Sequence, residues 1–283
     1  MSVAPSTLYP RARRARNIAA ARWHRIGTQT QFYVKTLTSM GDAVVNYRVE
    51  LIRLIAQMSL GTGALTLVGG TIVIVGFLTL SAGALIAVQG YHSLSNVGIE
   101  ALTGFIAAYL NVRLIAPLVA GIGLAATIGA GATAQLGAMR INEEIDALEV
   151  IGVRSVAYLA SSRVIAGIIV VIPLYSLAVL MSFLAARVGT TAVYGQSPGV
   201  YDHYFNTFFN PVDLAWSCVT AMAMAVVIML VHTYYGYSAS GGPAGVGEAV
   251  GRAVRTSLIA AVFVSLAITL SLYGQAPNLN LSG

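Results

Sequence analysis

The chain has 283 residues, 57% of them hydrophobic and only 9% charged, with a mean hydropathy of +0.78. A soluble domain carries about 25% charged residues, so this composition excludes a water-soluble enzyme or nucleic-acid-binding module and points to an all-α polytopic membrane protein. The 16 Lys and Arg outnumber the 10 Asp and Glu, and their distribution bears on topology.

Residues 1–40 read as a basic cytoplasmic region. Six arginines lie between Arg11 and Arg25. The following stretch, Gly27 to Lys35, is polar and supplies no apolar core for a signal peptide. Segment 41–58 sets Val44, Tyr47, Leu51, Ile55 and Met58 on one helical face, with Asp42, Asn46, Glu50, Arg53 and Gln57 elsewhere. That pattern predicts an amphipathic helix lying in the membrane interface, anchored by the basic stretch to anionic headgroups.

Residues 59–273 read as the membrane domain. A crossing takes about 20 apolar residues, and five spans are predicted, at about 63–89, 115–138, 159–186, 214–236 and 254–273. The stretch 98–112 is apolar but short and ends in Asn111 and Arg113, so it is either a tilted extension of span two or a re-entrant piece. With five spans and a cytoplasmic N-terminus, 14 of the 16 basic residues fall inside; a sixth span at 98–112 lowers that to 11. The positive-inside rule favours five. Residues 142–151 and 238–252 are then expected in the cytoplasm, and the loop 187–213 and the tail 274–283 outside.

Span two carries a ridge of small residues at every fourth position: Gly121, Ala125, Gly129, Thr133 and Gly137, with Ala126, Ala130, Ala134 and Ala138 alongside. Such ridges let helices approach closely in lipid. Two readings stand: a subunit interface that also walls a lipid path, or packing within the chain. Gln135 is expected to be the buried polar group on this helix. Bulk is expected to be tolerated better at Gly83, in a span without such a ridge.

Between spans two and three, Glu143, Glu144, Asp146 and Glu149 place four of the ten acids in seven positions. Ile141, Ile145, Leu148 and Ile151 form an apolar stripe through them. Asn142 is the expected N-cap and Gly152 the expected terminator. The result is a short amphipathic helix over 142–151 whose acidic face is offered to a partner protein. In the outer loop, Tyr201, Tyr204, Phe205, Phe208 and Phe209 are spaced as a short helix, with Tyr194 before it; an aromatic belt and a partner contact both fit.

Catalytic and metal-binding roles find no support. Cys218 stands alone, and His24, His92, His203 and His232 are scattered. No phosphate-binding GxxxxGK[ST] loop exists and Lys35 is the only lysine, so ATP, if used, is bound by another subunit. Glu100, Asp213 and Glu248 all fall at span ends, which argues against an ion-coupled or facilitative transporter acting alone. It favours an apolar or amphipathic substrate.

Ala134-Gln135-Leu136-Gly137 followed by Asn142-Glu143-Glu144-Ile145-Asp146-Ala147-Leu148-Glu149 and Gly152 resembles the signature of MlaE/YrbE permeases. A second match lies at Gly241-Gly242, Gly245-Val246-Gly247, Ala249-Val250 and Ala253-Val254-Arg255. The resemblance runs from about residue 40 to 273 and is closest to the B-type YrbE subunits of actinobacterial Mce systems. It implies a permease subunit in the plasma membrane, built from an interfacial helix and five spans. Its expected partners are a second, A-type YrbE permease, a cytoplasmic ABC ATPase dimer, an extracytoplasmic ring or tube of MCE proteins, and a lipid cargo. The helix at 142–151 becomes the coupling helix, with Ile145 and Leu148 seated in the ATPase groove beside the four acids. The family usually has Glu where this chain has Gln135, and Pro where it has Ser162, so any carboxylate role at 135 is absent from this subunit.

Overall fold

The structure, a computed structural model, describes residue 23, residues 26–60 and residues 68–273. The tail at 274–283 and most of the basic region before residue 26 lie outside the described residues. Among the described residues every regular element is helical. In chain order these are α1 (26–38), α2 (Met40–Asn46), α3 (Arg48–Leu60), α4 (Val68–Ser95), α5 (Glu100–Ile141), α6 (Glu144–Val150), α7 (Val156–Val193), α8 (Pro198–Phe208), α9 (Pro211–Tyr237) and α10 (Gly242–Tyr273). Five of them, α4, α5, α7, α9 and α10, are long and apolar enough to cross a membrane.

The stretch 98–112 belongs to span two. Leu110, Asn111, Ile115 and Ala116 all keep right-handed helical dihedrals, so residues 103–141 run on without a break. Of the two polar residues that suggested a boundary, Arg113 is absorbed by neighbours. Arg113 pairs with Asp213 at the start of α9, 2.7 Å away, and lies 4.1 Å above the ring of Tyr109. Asn111 faces the interior. Its segment, Asn111–Ile115, is a π turn just before Pro117, where the ring removes a backbone donor.

The 41–58 segment is not one helix. Tyr47 leaves the helical region (φ −122°, ψ 36°) and separates α2 from α3. Leu51 and Leu54 of α3 then pack on Ala166 of α7, which fixes the helix to the bundle. Glu50 and Arg53 pair along it at 2.9 Å.

The main core lies where α9 meets α5 and α7, around Leu124, Val171, Ala225, Ile228 and Met229, with α4 contributing Val75. α4 lies against α7 at very short range. A Cβ on Gly83 would come within 2.3 Å of the Ser182 carbonyl oxygen, and one on Gly189 within 2.7 Å of the Ala87 Cβ. Gly83 is thus no more tolerant of bulk than the ridge glycines; its neighbour is backbone, which cannot give way.

In the loop after α7, the aromatics turn inward. Tyr201 is 1% exposed and stacks near Phe205, which meets Phe183 at 4.9 Å; Phe208 meets Phe105 at 4.6 Å. Burial pushes the Tyr201 hydroxyl up. These rings hold α8 on the ends of α5 and α7 instead of forming an outward belt.

Candidate functional site

The acidic helix forms with a different start from the expected one. Asn142 closes α5, and the chain turns at Glu143, whose φ of +60° is the sole positive value among the described non-glycine residues. An L residue in this left-handed region carries roughly 1–2 kcal/mol of strain. The far end closes as expected. Gly152 takes φ +83°, its N–H donates to Glu149 O, and the Val153 N–H donates to Leu148 O, both at 3.0 Å. This paired arrangement caps the last carbonyls of α6.

Which side chains face out also differs. Ile145 is fully buried against Leu136 and Leu159, with Leu148, Met139, Tyr158 and Tyr237 around it. A side chain of that kind contributes about 1.5–3 kcal/mol when buried, and it seats α6 on its own bundle. Ile145 is therefore unavailable to a partner's groove, and Leu148 is half covered by the same cluster. The exposed apolar residues are Val150, 87% exposed, and Ile151, 74% exposed. The periodicity placed Ile151 on the inner stripe and did not single out Val150.

The acids divide likewise. Arg140 donates to Asp146 at 2.6 Å. Glu149 accepts from the Ser155 hydroxyl and, at 3.1 Å, from Tyr237 at the end of α9. Those two donors, Ser155 first, hold its carboxyl below the usual carboxylate range. Glu143 and Glu144 are exposed. Two of the four acids thus tie α6 to its own chain, and Arg154 just beyond it pairs with Asp42 of α2.

The span-two ridge is filled from within. Gly121 faces Met224 and Ile228, Gly137 faces Val246 and Ala239, and Ala125 is fully buried. A Cβ on Gly129 would lie 2.6 Å from the His232 ring. Thr133 Oγ1 sits 2.7 Å from His232 Nδ1, and His232 Nε2 sits 3.1 Å from Ser257 Oγ. The ridge from Gly121 to Gly137 therefore seats α5 on α9 and α10, which agrees with the second of its two readings, packing within the chain. The sequence could not reveal this node because Thr133 and His232 are 99 positions apart.

Gln135 is not buried. It is exposed and lines a cleft of about 280 Å³ with Leu54 and Gln57 of α3, Thr71 of α4, and Thr127 and Ile128 of α5. A second cleft of about 290 Å³ shares Met58, Thr71 and Ile128 and continues to Val170, Pro173, Leu174 and Leu177 of α7. The first carries two amides and two hydroxyls; the second is almost wholly apolar. Together they form a lateral, amphipathic recess whose polar part is nearer α6 along α5. Among the described residues no cluster of His, Cys, Asp and Glu could hold a metal ion.

Comparison with known proteins accords with this geometry. The family model described as permease MlaE matches residues 61–271. A probable ABC transporter permease protein of Rickettsia bellii is 30% identical over 205 residues, covering 69% of this chain and 76% of that protein. A probable ABC transporter permease protein of Synechocystis is 26% identical over 183 residues, 65% and 69% of the two chains. Protein TRIGALACTOSYLDIACYLGLYCEROL 1, chloroplastic, of Arabidopsis thaliana is 25% identical over 193 residues, 68% of this chain and 55% of the other.

Proposed function

Because the chain belongs to the MlaE permease family, we propose that it is the membrane subunit of an ABC-type lipid transporter and takes its energy from a separate ATPase. The observation that carries this reading is α6: a capped acidic helix outside the spans, seated by Ile145 and with Glu143, Glu144, Val150 and Ile151 facing outward. In this reading a partner that meets α6 is linked to α9 through Tyr237 and to the start of α7 through the preceding Ser155, since both hold Glu149.

A lipid cargo is supported by the amphipathic recess, whose amides suit a headgroup and whose apolar part suits a chain. The glycolipid word in the name of the Arabidopsis relative points the same way. Within the family, the motifs at 134–152 and 241–255 support a YrbE B-type subunit of an Mce system, paired with an A-type permease and fed by extracytoplasmic MCE proteins. Since the Gly121–Gly137 ridge is used internally, the second permease is expected on another face. The half-exposed row of Ala126, Ala130, Ala134 and Ala138 is the remaining close-packing surface of α5. The basic residues favour a plasma-membrane orientation with α6 in the cytoplasm and α8 outside.

The test is co-purification. Intact chain should bring an ABC ATPase with it, and the Glu143→Lys, Glu144→Lys double variant should not, while its melting profile stays unchanged. Equal recovery of the ATPase with both would remove α6 as the docking element.

A further inference from the structure

Arg163 of α7 is a buried cation that the permease reading leaves without a role. It is 4% exposed, and among the described residues it joins no ion pair. Its Nη1 donates to Leu159 O at 3.0 Å, one turn back on its own helix, and its Nε is buried with no acceptor. A guanidinium taken out of water without a carboxylate is costly, because its lost hydration is not replaced. The charged and titratable groups that act on it are Glu50 and Arg53 of α3 and Tyr158 of α7. Glu50 is the only acid among these, and its carboxylate is engaged elsewhere. Both of its oxygens accept from Arg53, at 2.9 Å each.

The two arginines are unequal partners for Glu50. The Arg53 side chain is 68% exposed and that of Glu50 only 11%. Leaving Arg53 costs little, since water takes the place of the carboxylate there. Reaching Arg163 would neutralise a charge that water does not reach. The Glu50–Arg53 pair also lies within one helix and fixes α3 to nothing, whereas a Glu50–Arg163 pair would tie α3 to α7. These helices already lie side by side, with Leu51, Leu54 and Met58 packed around Ala166. That contact is apolar and non-directional, so it permits a small roll or slide. Glu50, Leu54, Gln57 and Met58 share one face of α3, and Arg163, Val170, Leu174 and Leu177 fall within an arc of roughly 60° on α7. Leu54, Gln57 and Met58 line the first cleft, and Met58, Val170, Leu174 and Leu177 the second. A shift of Glu50 toward Arg163 therefore carries one wall of the recess toward the other.

We propose, on the reading of the recess as a lipid path, that Glu50 exchanges between Arg53 and Arg163 and that this exchange is a latch, narrowing the recess when α3 is drawn onto α7. Spin labels at Gln57→Cys and Leu177→Cys, in the full-length Cys218→Ala chain in vesicles, measure the width of the recess by pulsed electron resonance without ATP. Two distances are expected. Arg53→Met removes the competing exposed pair and should raise the ratio of the short distance to the long one about two- to fivefold. Glu50→Gln and Arg163→Met should each abolish the short distance. Arg53→Met alters an exposed side chain alone, so it decides the matter even where a variant at a buried position fails to fold. A single distance in both the parent and Arg53→Met overturns the latch, as does a ratio that Arg53→Met leaves unchanged. No transport is measured, so either result strikes the latch alone, and lipid uptake by a variant with a filled recess tests the path on its own.

Discussion

The imidazole of His232 occupies the space that a side chain at Gly129 would need: its Cδ2 lies 2.6 Å from the position of a Cβ there. The same ring is within hydrogen-bonding distance of Thr133 and Ser257. One buried group therefore joins α5, α9 and α10, and it fits only because residue 129 is glycine.

Gly129→Leu should consequently destabilise the single chain before any question of assembly arises. Overpacking of this kind costs about 1–3 kcal/mol. Gly83→Leu, which meets backbone at Ser182, should be no milder. Thermal unfolding of the purified variants in detergent tests both, and a normal melting curve for Gly129→Leu would show that the ring moves aside freely.

Ile145→Ala should lower stability by about 2–5 kcal/mol, as for other buried large-to-small changes, because Ile145 is an anchor of α6 and not a docking residue. Val150→Asp should do the reverse, leaving the melting curve intact and reducing ATPase recovery. If Ile145→Ala melts normally and only loses the ATPase, the helix must detach from the bundle when it docks.

Glu149 gives a pH signature. Its folded-state carboxyl is held below its ordinary value by Ser155 and Tyr237. A depressed acid contributes fully above its unfolded value, near ~4.3, and loses that contribution as pH falls through the folded value. Wild-type protein should therefore lose thermal stability on acidification below about pH 4 more steeply than Ser155→Ala, whose first donor is gone. Superimposable acid profiles would mean that Ser155 does not hold the carboxylate.

Filling the recess should block passage. Gly131→Phe places a ring in the first cleft, where a Cβ at residue 131 meets open space. Lipid uptake should fall while ATPase recovery is retained. Normal uptake by a correctly folded variant would move the path elsewhere.

Single cysteines in a Cys218→Ala background read the orientation. Ala147→Cys should react with an impermeant reagent only from the cytoplasmic side, and Asn206→Cys only from outside. Labelling of position 147 from outside would invert the topology.

The large features were legible because hydropathy and capping chemistry are local. Five apolar stretches, the charge island at 143–149 and the closing Gly152 depend on nearby residues alone. What escaped depends on the tertiary partner. The ridge from Gly121 to Gly137 was readable as a close-approach surface, but only the fold shows that His232, Met224 and Val246 fill it. Ile145 and Ile151 share one stripe in the sequence, yet the helix is too short for both to reach Leu136 and Leu159. Asn142 has the chemistry of an N-cap, but the turn comes one residue later, at Glu143. Gln135 looked buried because its helix neighbours are small, and a cleft beside α3 leaves it open.

Met58, Thr71 and Ile128 line both clefts, so these three side chains lie at the boundary where a polar chamber meets an apolar one. Of the three, Met58 is the unbranched, adaptable member. Under the lipid reading proposed above, a boundary with one pliable side chain would gauge chain length: short acyl chains stop at it and longer ones push it aside. Met58→Ala should therefore shift the distribution of lipids that co-purify with the protein toward longer chains, read directly by mass spectrometry. An unchanged chain-length distribution would mean that the two chambers are never occupied as one.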